Sequence, residues 1–234
     1  MKYEKFMIIT IDGPVATGKS TIAKKLAESI GFIFFDTGAM YRALTFGILK
    51  NQIDLSDPDT LQNYLAHFQF DIKVIHHDRH YFVNKEDVSK LIRGKEVTSS
   101  VSKVSAIKAV REKLMAIQRE LAEGVNAVFE GRDMGTVVFP HANIKIFLTG
   151  RNDVRAKRRY DELTSKFPEE TKELTLEKCL EEITKRDNYD STREYSPLCQ
   201  AEDAFVIDTS DLSIDEVVYK ILEYKDTIKT KRPS

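Results

Sequence analysis

Apolar and β-branched residues run almost unbroken through Phe6-Met7-Ile8-Ile9-Thr10-Ile11, the pattern of a strand covered on both faces. A glycine-rich turn follows. Ile22, Leu26 and Ile30 then recur at helical spacing until Gly31 supplies a stop. Ile33-Phe34-Phe35 predicts a second short strand ending at Asp36, and a helix over about 39–50 comes next. Further buried strands are predicted over 125–129, 144–148 and 205–207, with a last helix over about 213–224. Strands alternating with helices predict a central parallel sheet with helices on both faces, an α/β fold.

The alternation breaks over about 70–104. Phe70-Asp71-Ile72-Lys73-Val74-Ile75 and His80-Tyr81-Phe82-Val83 predict a small hairpin turning around His77-Asp78-Arg79, an insertion outside the main sheet. The polar stretch 165–175, which contains Pro168, predicts a mobile connection between helices.

Composition narrows the class. Lys and Arg total 36 against 37 Asp and Glu, and a net charge of −1 argues against a general nucleic-acid-binding surface. With 41% apolar residues, a chain of 234 residues can bury one large core, or a core with a small insert, without staples. Cys179 and Cys199 form no CxxC and have no histidine cluster beside them, which fits a reducing compartment. Residues 1–5 lead into an apolar stretch too short for a signal peptide, and no segment approaches the ~20 apolar residues of a membrane helix. A soluble cytoplasmic protein, without a membrane partner, is expected.

The chemistry begins at Gly13-Pro14-Val15-Ala16-Thr17-Gly18-Lys19-Ser20, a full G-x-x-x-x-G-K-[ST] between a predicted strand and a predicted helix. Glycines let successive backbone N–H groups point inward, and the helix N-terminus adds the positive end of its dipole. Lys19 can bridge the β- and γ-phosphates of a nucleoside triphosphate, and the Ser20 hydroxyl can ligate Mg²⁺. Thr21 completes the ATP-binding set, residues 13–21. The motif is silent about what receives the phosphoryl group.

Two readings compete for that acceptor. Asn84-Lys85-Glu86-Asp87 spells the N-K-x-D of guanine-binding switch proteins, but no D-x-x-G lies between it and the phosphate loop. The arginines point instead to a kinase, whose transition state spreads negative charge over several oxygens and needs cations around both phosphates. Arg42, Arg111, Arg132, Arg151, Arg155, Arg158, Arg159, Arg186 and Arg193 are spread along a nearly neutral chain, many near predicted strand ends where α/β ligand crevices form.

Specific strings settle on one family. Asp12-Gly13-Pro14, Asp36-Thr37-Gly38-Ala39-Met40-Tyr41-Arg42, Gly131-Arg132-Asp133-Met134-Gly135-Thr136-Val137-Val138-Phe139-Pro140 and Arg186-Asp187-Asn188-Tyr189-Asp190 with Arg193 resemble bacterial-type cytidylate kinase, over about 8–222. The resemblance implies a P-loop kinase fold: a core over 1–69 and 105–234, a nucleotide-monophosphate-binding insert over 70–104 and a short lid near 151–164. It implies transfer of the γ-phosphoryl of ATP to CMP or dCMP with Mg²⁺, by a monomer that binds no nucleic acid.

The same resemblance assigns residues. Arg42, Arg132 and Arg193 would grip the α-phosphate of CMP, with Thr37 and Tyr41 beside the acceptor; Thr37 could equally be a plain helix N-cap. Ser102, Arg111 and Asp133 would read the base, since a carboxylate accepts from the 4-amino group of cytosine but meets a carbonyl in uracil. Arg186 and Asp190 would face the sugar hydroxyls, although four-residue spacing also suits a helical ion pair. Lys19, Arg132 and the lid arginines Arg155, Arg158 and Arg159 would stabilise the transferring group. Glu130 stands where the family commonly has Asp; with Ser20 it would serve the metal. The alternatives are a GTP-binding switch and another small-molecule kinase of this fold.

Overall fold

The first apolar run forms strand β1 (Ile8–Asp12) in a computed structural model that describes residues 6–76 and 78–231. Helix α1 (Lys19–Ile30), strand β2 (Ile33–Asp36) and helix α2 (Thr37–Lys50) follow in the expected order. Helix α3 (Pro58–His67) precedes a hairpin of β3 (Phe70–Ile75) and β4 (Asp78–Val83), to which the two-residue β5 (Glu86–Asp87) is added. Helices α4 (Lys95–Ser105) and α5 (Lys108–Leu121) lead to β6 (Ala127–Gly131). After it come a π-helical turn (Met134–Val138), β7 (Ile144–Thr149), α6 (Asn152–Lys166), α7 (Leu176–Thr192), β8 (Phe205–Asp208) and α8 (Ile214–Lys231).

The described residues divide into two compact units: those up to Phe35 together with those from Ala122, and those of the intervening Asp36–Leu121. The first unit holds a five-stranded sheet of order β2-β6-β1-β7-β8, with β1–β6, β1–β7 and β7–β8 parallel. Side chains alternate across each strand. Ile9, Ile11, Val128, Ile146 and Leu148 therefore share one face, buried against Ile22 and Leu26 of α1 and Val217 and Ile221 of α8. The opposite face carries Thr10 and Asp12 beneath the π-helical turn, and the Phe129 ring stacks 4.6 Å from Phe35 and lies 4.5 Å from Phe139.

The second unit has its own core, in which Met40 and Leu44 of α2, Leu61 and Leu65 of α3, Tyr81 and Val83 of β4, and Val110 and Leu114 of α5 pack together. The predicted insertion 70–104 lies inside this unit. Its serine-rich end is helical: Val97, Val101 and Val104 recur at helical spacing on α4 and are buried, which outweighs the weak helix propensity of the serines. The hairpin turns earlier than expected, since Ile75 pairs with Asp78 and Asp78 and Arg79 belong to β4; His77 lies outside the described residues. The final helix runs past Tyr224 to Lys231. No helix among the described residues is long and apolar enough to cross a membrane.

Candidate active site

In the larger unit, β1 delivers the chain into the phosphate loop at Gly13. Ala16 (φ 59°) and Gly18 (φ 86°) take left-handed conformations that curl the loop. Lys19, Ser20 and Thr21 form the first turn of α1, whose N-cap Gly18 has no side chain to compete with an anion for the turn's N–H groups. Lys19 is buried, and its Nζ donates to the Pro14 carbonyl at 2.5 Å and lies 3.4 Å from Thr17 Oγ1. Burial first, and the Arg132 charge second, lower its pKa to about 7, against the opposing pull of Glu130, Asp187 and Asp12.

The register of β1 and β6 sets Glu130 opposite Ile11, and the Ser20 hydroxyl donates to its Oε1 at 2.7 Å. The longer side chain does not remove this carboxylate from the loop. A hydroxyl and a carboxylate are the hard oxygen donors that Mg²⁺ prefers, usually as one or two protein ligands beside phosphate oxygens and waters. Among the described residues, no group of three or more His, Cys, Asp and Glu forms a self-sufficient metal site.

Past Glu130, the chain turns through Arg132 and Asp133 into the π-helical turn. Both Asp12 carboxylate oxygens hold that turn, accepting from the Met134 N–H at 2.9 Å and the Gly135 N–H at 2.7 Å. Burial pushes the Asp12 carboxyl up to about 7, while these two donors pull it down. Asp190 of α7 joins the two arginines: Oδ2 accepts from Arg132 Nε at 3.0 Å, and Oδ1 lies 3.5 Å from Arg193 Nη1. Arg193 Nη2 lies 3.9 Å from Asp133, and its Nε donates to the Ser196 carbonyl at 2.7 Å. The structure thus brings Arg132, Asp133, Asp190 and Arg193 together, and places Arg186 half-buried on the same helix.

The lid arginines are engaged with protein. Arg155 is buried, donating to Gly150 O, Val15 O, Asp187 Oδ2 and Asn152 Oδ1. Arg158 donates to the hydroxyl and carbonyl of Thr209, and Arg159 to Glu162.

In the smaller unit, Asp36 rather than Thr37 is the N-cap of α2. Its side chain accepts from the Ala39 N–H at 2.8 Å, and Thr37 is the buried first helical residue. The other oxygen of Asp36 lies 3.2 Å from Arg42 Nη2; Arg42 Nε is buried without a hydrogen-bond partner. One side chain therefore caps the helix and aims its arginine. Arg111 of α5 is buried, with its guanidinium 5.2 Å from the Tyr41 ring centre and Nη1 donating to Ser105 O at 2.8 Å. Ser102 is half-buried on α4, and its carbonyl accepts from the Ser105 hydroxyl.

The N-K-x-D string is a turn. Asn84 (φ 46°) and Lys85 (φ 73°) are its two central left-handed residues, as in a type I′ hairpin between β4 and β5. Asp87 accepts from Ser89 N and Oγ and pairs with His80, contacts that hold its carboxyl down near about 2. Sequence reasoning passed over Asp36, Asp12 and Asp187, although each lies inside a string it singled out. Only their position within those strings signalled them, because most of their partners are set by folding.

A family model described as cytidylate kinase matches residues 9–227. The cytidylate kinase of Protochlamydia amoebophila (strain UWE25) is 99% identical over 228 residues, covering 97% of this chain and 100% of that protein. That of Geobacillus kaustophilus (strain HTA426) is 47% identical over 92% of this chain and 94% of that one. Among solved structures, a shikimate kinase from Bacteroides thetaiotaomicron superposes with a TM-score of 0.50 at 13% identity, over 94% of this chain and 98% of that one, a likeness of fold alone.

Proposed function

The chain belongs to the cytidylate kinase family and is an ATP-dependent nucleoside monophosphate kinase, and from that premise we propose that it phosphorylates CMP or dCMP, giving CDP or dCDP and ADP. The observation that carries the acceptor assignment is the cluster in which Asp190 holds Arg132 and Arg193 beside Asp133. Two guanidinium groups fixed by one carboxylate are preorganised to receive an anion without reorganising at the moment of reaction.

In the larger unit, residues 13–21 bind the triphosphate, with Lys19 at the β- and γ-phosphates. Arg132 and Arg193 grip the acceptor's phosphate, Asp133 accepts from the cytosine amino group, and Arg186 and Asp190 serve the sugar. In the smaller unit, Arg42 adds a third cation, Thr37 and Tyr41 line the acceptor, and Ser102 and Arg111 read the base. The unspent Nε of Arg42 and the stacking of Arg111 on Tyr41 support those assignments. The insert 70–104 carries the monophosphate, and the lid lies near 151–164. Arg158 and Arg159 turn from Thr209 and Glu162 towards the ATP phosphates, and Arg155 serves the same transfer from its place against the loop. The acceptor oxygen is already anionic, so no general base is required; positioning and charge do the work.

Ser20 and Glu130 would hold Mg²⁺, which would supply positive charge against the phosphates of ATP. A cytoplasmic monomer without nucleic-acid or membrane partners belongs to the same proposal; the near-neutral charge supports the lack of a general nucleic-acid surface, and the free Cys179 and Cys199 support a reducing compartment.

ADP release with CMP, dCMP, UMP, AMP and dTMP tests the assignment. The cytidine nucleotides are expected to lead the series. AMP or dTMP turning over as fast as CMP would overturn it. A second expectation concerns protons. In the free protein Lys19 is mostly neutral above its pKa of about 7, and bound phosphates favour its charged form. At pH 8, ATP binding should therefore take up protons, read by calorimetry in buffers of different ionisation enthalpy. Absence of uptake, or uptake that survives in Lys19→Ala, would count against this.

A further inference from the structure

Val15, in the middle of the phosphate loop, is held by both α6 and α7. Its side chain is buried with Ala156 of α6 and with Cys179 and Ile183 of α7. Its N–H donates to Asp187 Oδ1 at 2.9 Å, and its carbonyl accepts from Arg155 Nη1 at 2.8 Å. The same Nη1 meets Asp187 Oδ2 at 2.6 Å, closing a ring of three partners. Arg155 is fixed in turn by Gly150 O at 3.0 Å and Asn152 Oδ1 at 2.5 Å.

This arrangement has a physical purpose. A loop that holds the non-glycine Ala16 in the left-handed region keeps its shape only if its surroundings over-determine it. Charge-assisted hydrogen bonds to both backbone groups of one residue do that at little cost in flexibility. The helix supplying the carboxylate also carries the acceptor's groups: Asp187 follows Arg186 and precedes Asp190, which holds Arg132 and Arg193.

We propose that Asp187, together with Arg155, is a positioning residue that sets the phosphate loop through Val15, and that α7 thereby couples acceptor binding to ATP binding. The coupling rests on the acceptor assignment above; the positioning does not. Any shift of α7 that favours the bound acceptor biases Val15, and by linkage each nucleotide must change the other's affinity by the same factor.

Calorimetric titrations of full-length protein with ATP alone, CMP alone, and ATP in the presence of saturating CMP test this on Asp187→Ala and Asp187→Asn. In Asp187→Ala, the dissociation constant for ATP alone is expected to rise about tenfold or more. That for CMP alone should stay within about twofold, and the factor by which CMP alters ATP affinity should shrink towards one. Asp187→Asn keeps an acceptor for the Val15 N–H but loses the ion pair, so it should recover part of the ATP affinity. Should the alanine variant fail to fold, a roughly threefold or larger weakening of ATP binding in Asp187→Asn decides the point. Unchanged ATP affinity, or equal weakening of both nucleotides with a lowered Tm, would overturn the positioning role. A parent protein in which CMP does not alter ATP affinity would overturn the coupling. If the parent fails to bind CMP at all, the acceptor assignment falls, while the ATP titrations still judge Asp187.

Discussion

Lys19→Ala is expected to lower the rate of phosphoryl transfer by on the order of 10²–10³ while leaving the protein folded, the size of effect found when one preorganised donor to a transition-state charge is removed. Lys19 is the loop's own cation, and its Nζ reaches a backbone carbonyl of that loop. Folding is not its purpose. Its pKa falls from 10.5 to about 7, which means the folded protein disfavours its charge. The sign follows from proton counts: between about 7 and 10.5 the unfolded chain binds more protons than the native one, so this group makes stability rise with pH across that window. Below it, the native state carries the full penalty. Removing the ammonium relieves that penalty and sacrifices the hydrogen bonds to Pro14 O and Thr17 Oγ1 and some buried methylenes. The Tm should therefore stay within roughly 4 °C of the parent's, the shift that about 1 kcal/mol produces in a chain of this size. Turnover with CMP and a thermal melt at pH 7 check both halves. A variant keeping half its rate would remove Lys19 from the mechanism, and one that no longer folds would make it structural.

The second large effect is on stability. Gly13→Ala should cost on the order of 3–5 kcal/mol, in the range reserved for named disruptions of structure. A Cβ at Gly13 would sit 2.1 Å from the Leu148 carbonyl oxygen and 3.1 Å from its carbon. That carbonyl belongs to β7, which pairs with both β1 and β8, so it cannot yield without disturbing the sheet. The backbone at Gly13 (φ 148°) is also strained for any side chain. Gly31→Ala is the control. Gly31 also has positive φ (69°), but nothing lies within 4 Å of its Cβ position. It should cost only the backbone term, about 1 kcal/mol. Urea denaturation of the two variants separates steric exclusion from backbone strain; equal midpoints would refute the close approach of the loop to β7.

A GTP switch is disfavoured on the same kind of evidence. The N-K-x-D string is legible as a motif, but its side chains are spent on a hairpin turn: Asn84 Oδ1 accepts from Gln69 N, and Asp87 is occupied by Ser89 and His80. Four polar residues at a hairpin end carry little information until the backbone torsions are known. In contrast, the loop 13–20 falls between β1 and α1 as its motif predicts, because the glycines, the lysine and the helix start all lie within one short segment.

That difference divides what the chain states openly from what it conceals. Sequence alone determined the strands of the parallel sheet, the helices that follow β1, β2 and β8, the place of the phosphate loop and the family, because periodicity and short strings are properties of neighbours along the chain. Tertiary structure alone decided how the charged residues are used. Asp187 meets Val15 across 172 residues, Asp190 meets Arg132 across 58, and Asp12 meets Gly135 across 123. The four-residue spacing of Arg186 and Asp190 suggested a pair within the helix, yet Asp190 holds arginines from beyond it. The physical reason is desolvation: a carboxylate taken out of water must find donors wherever folding has placed them, and nothing in local spacing specifies which distant group that will be.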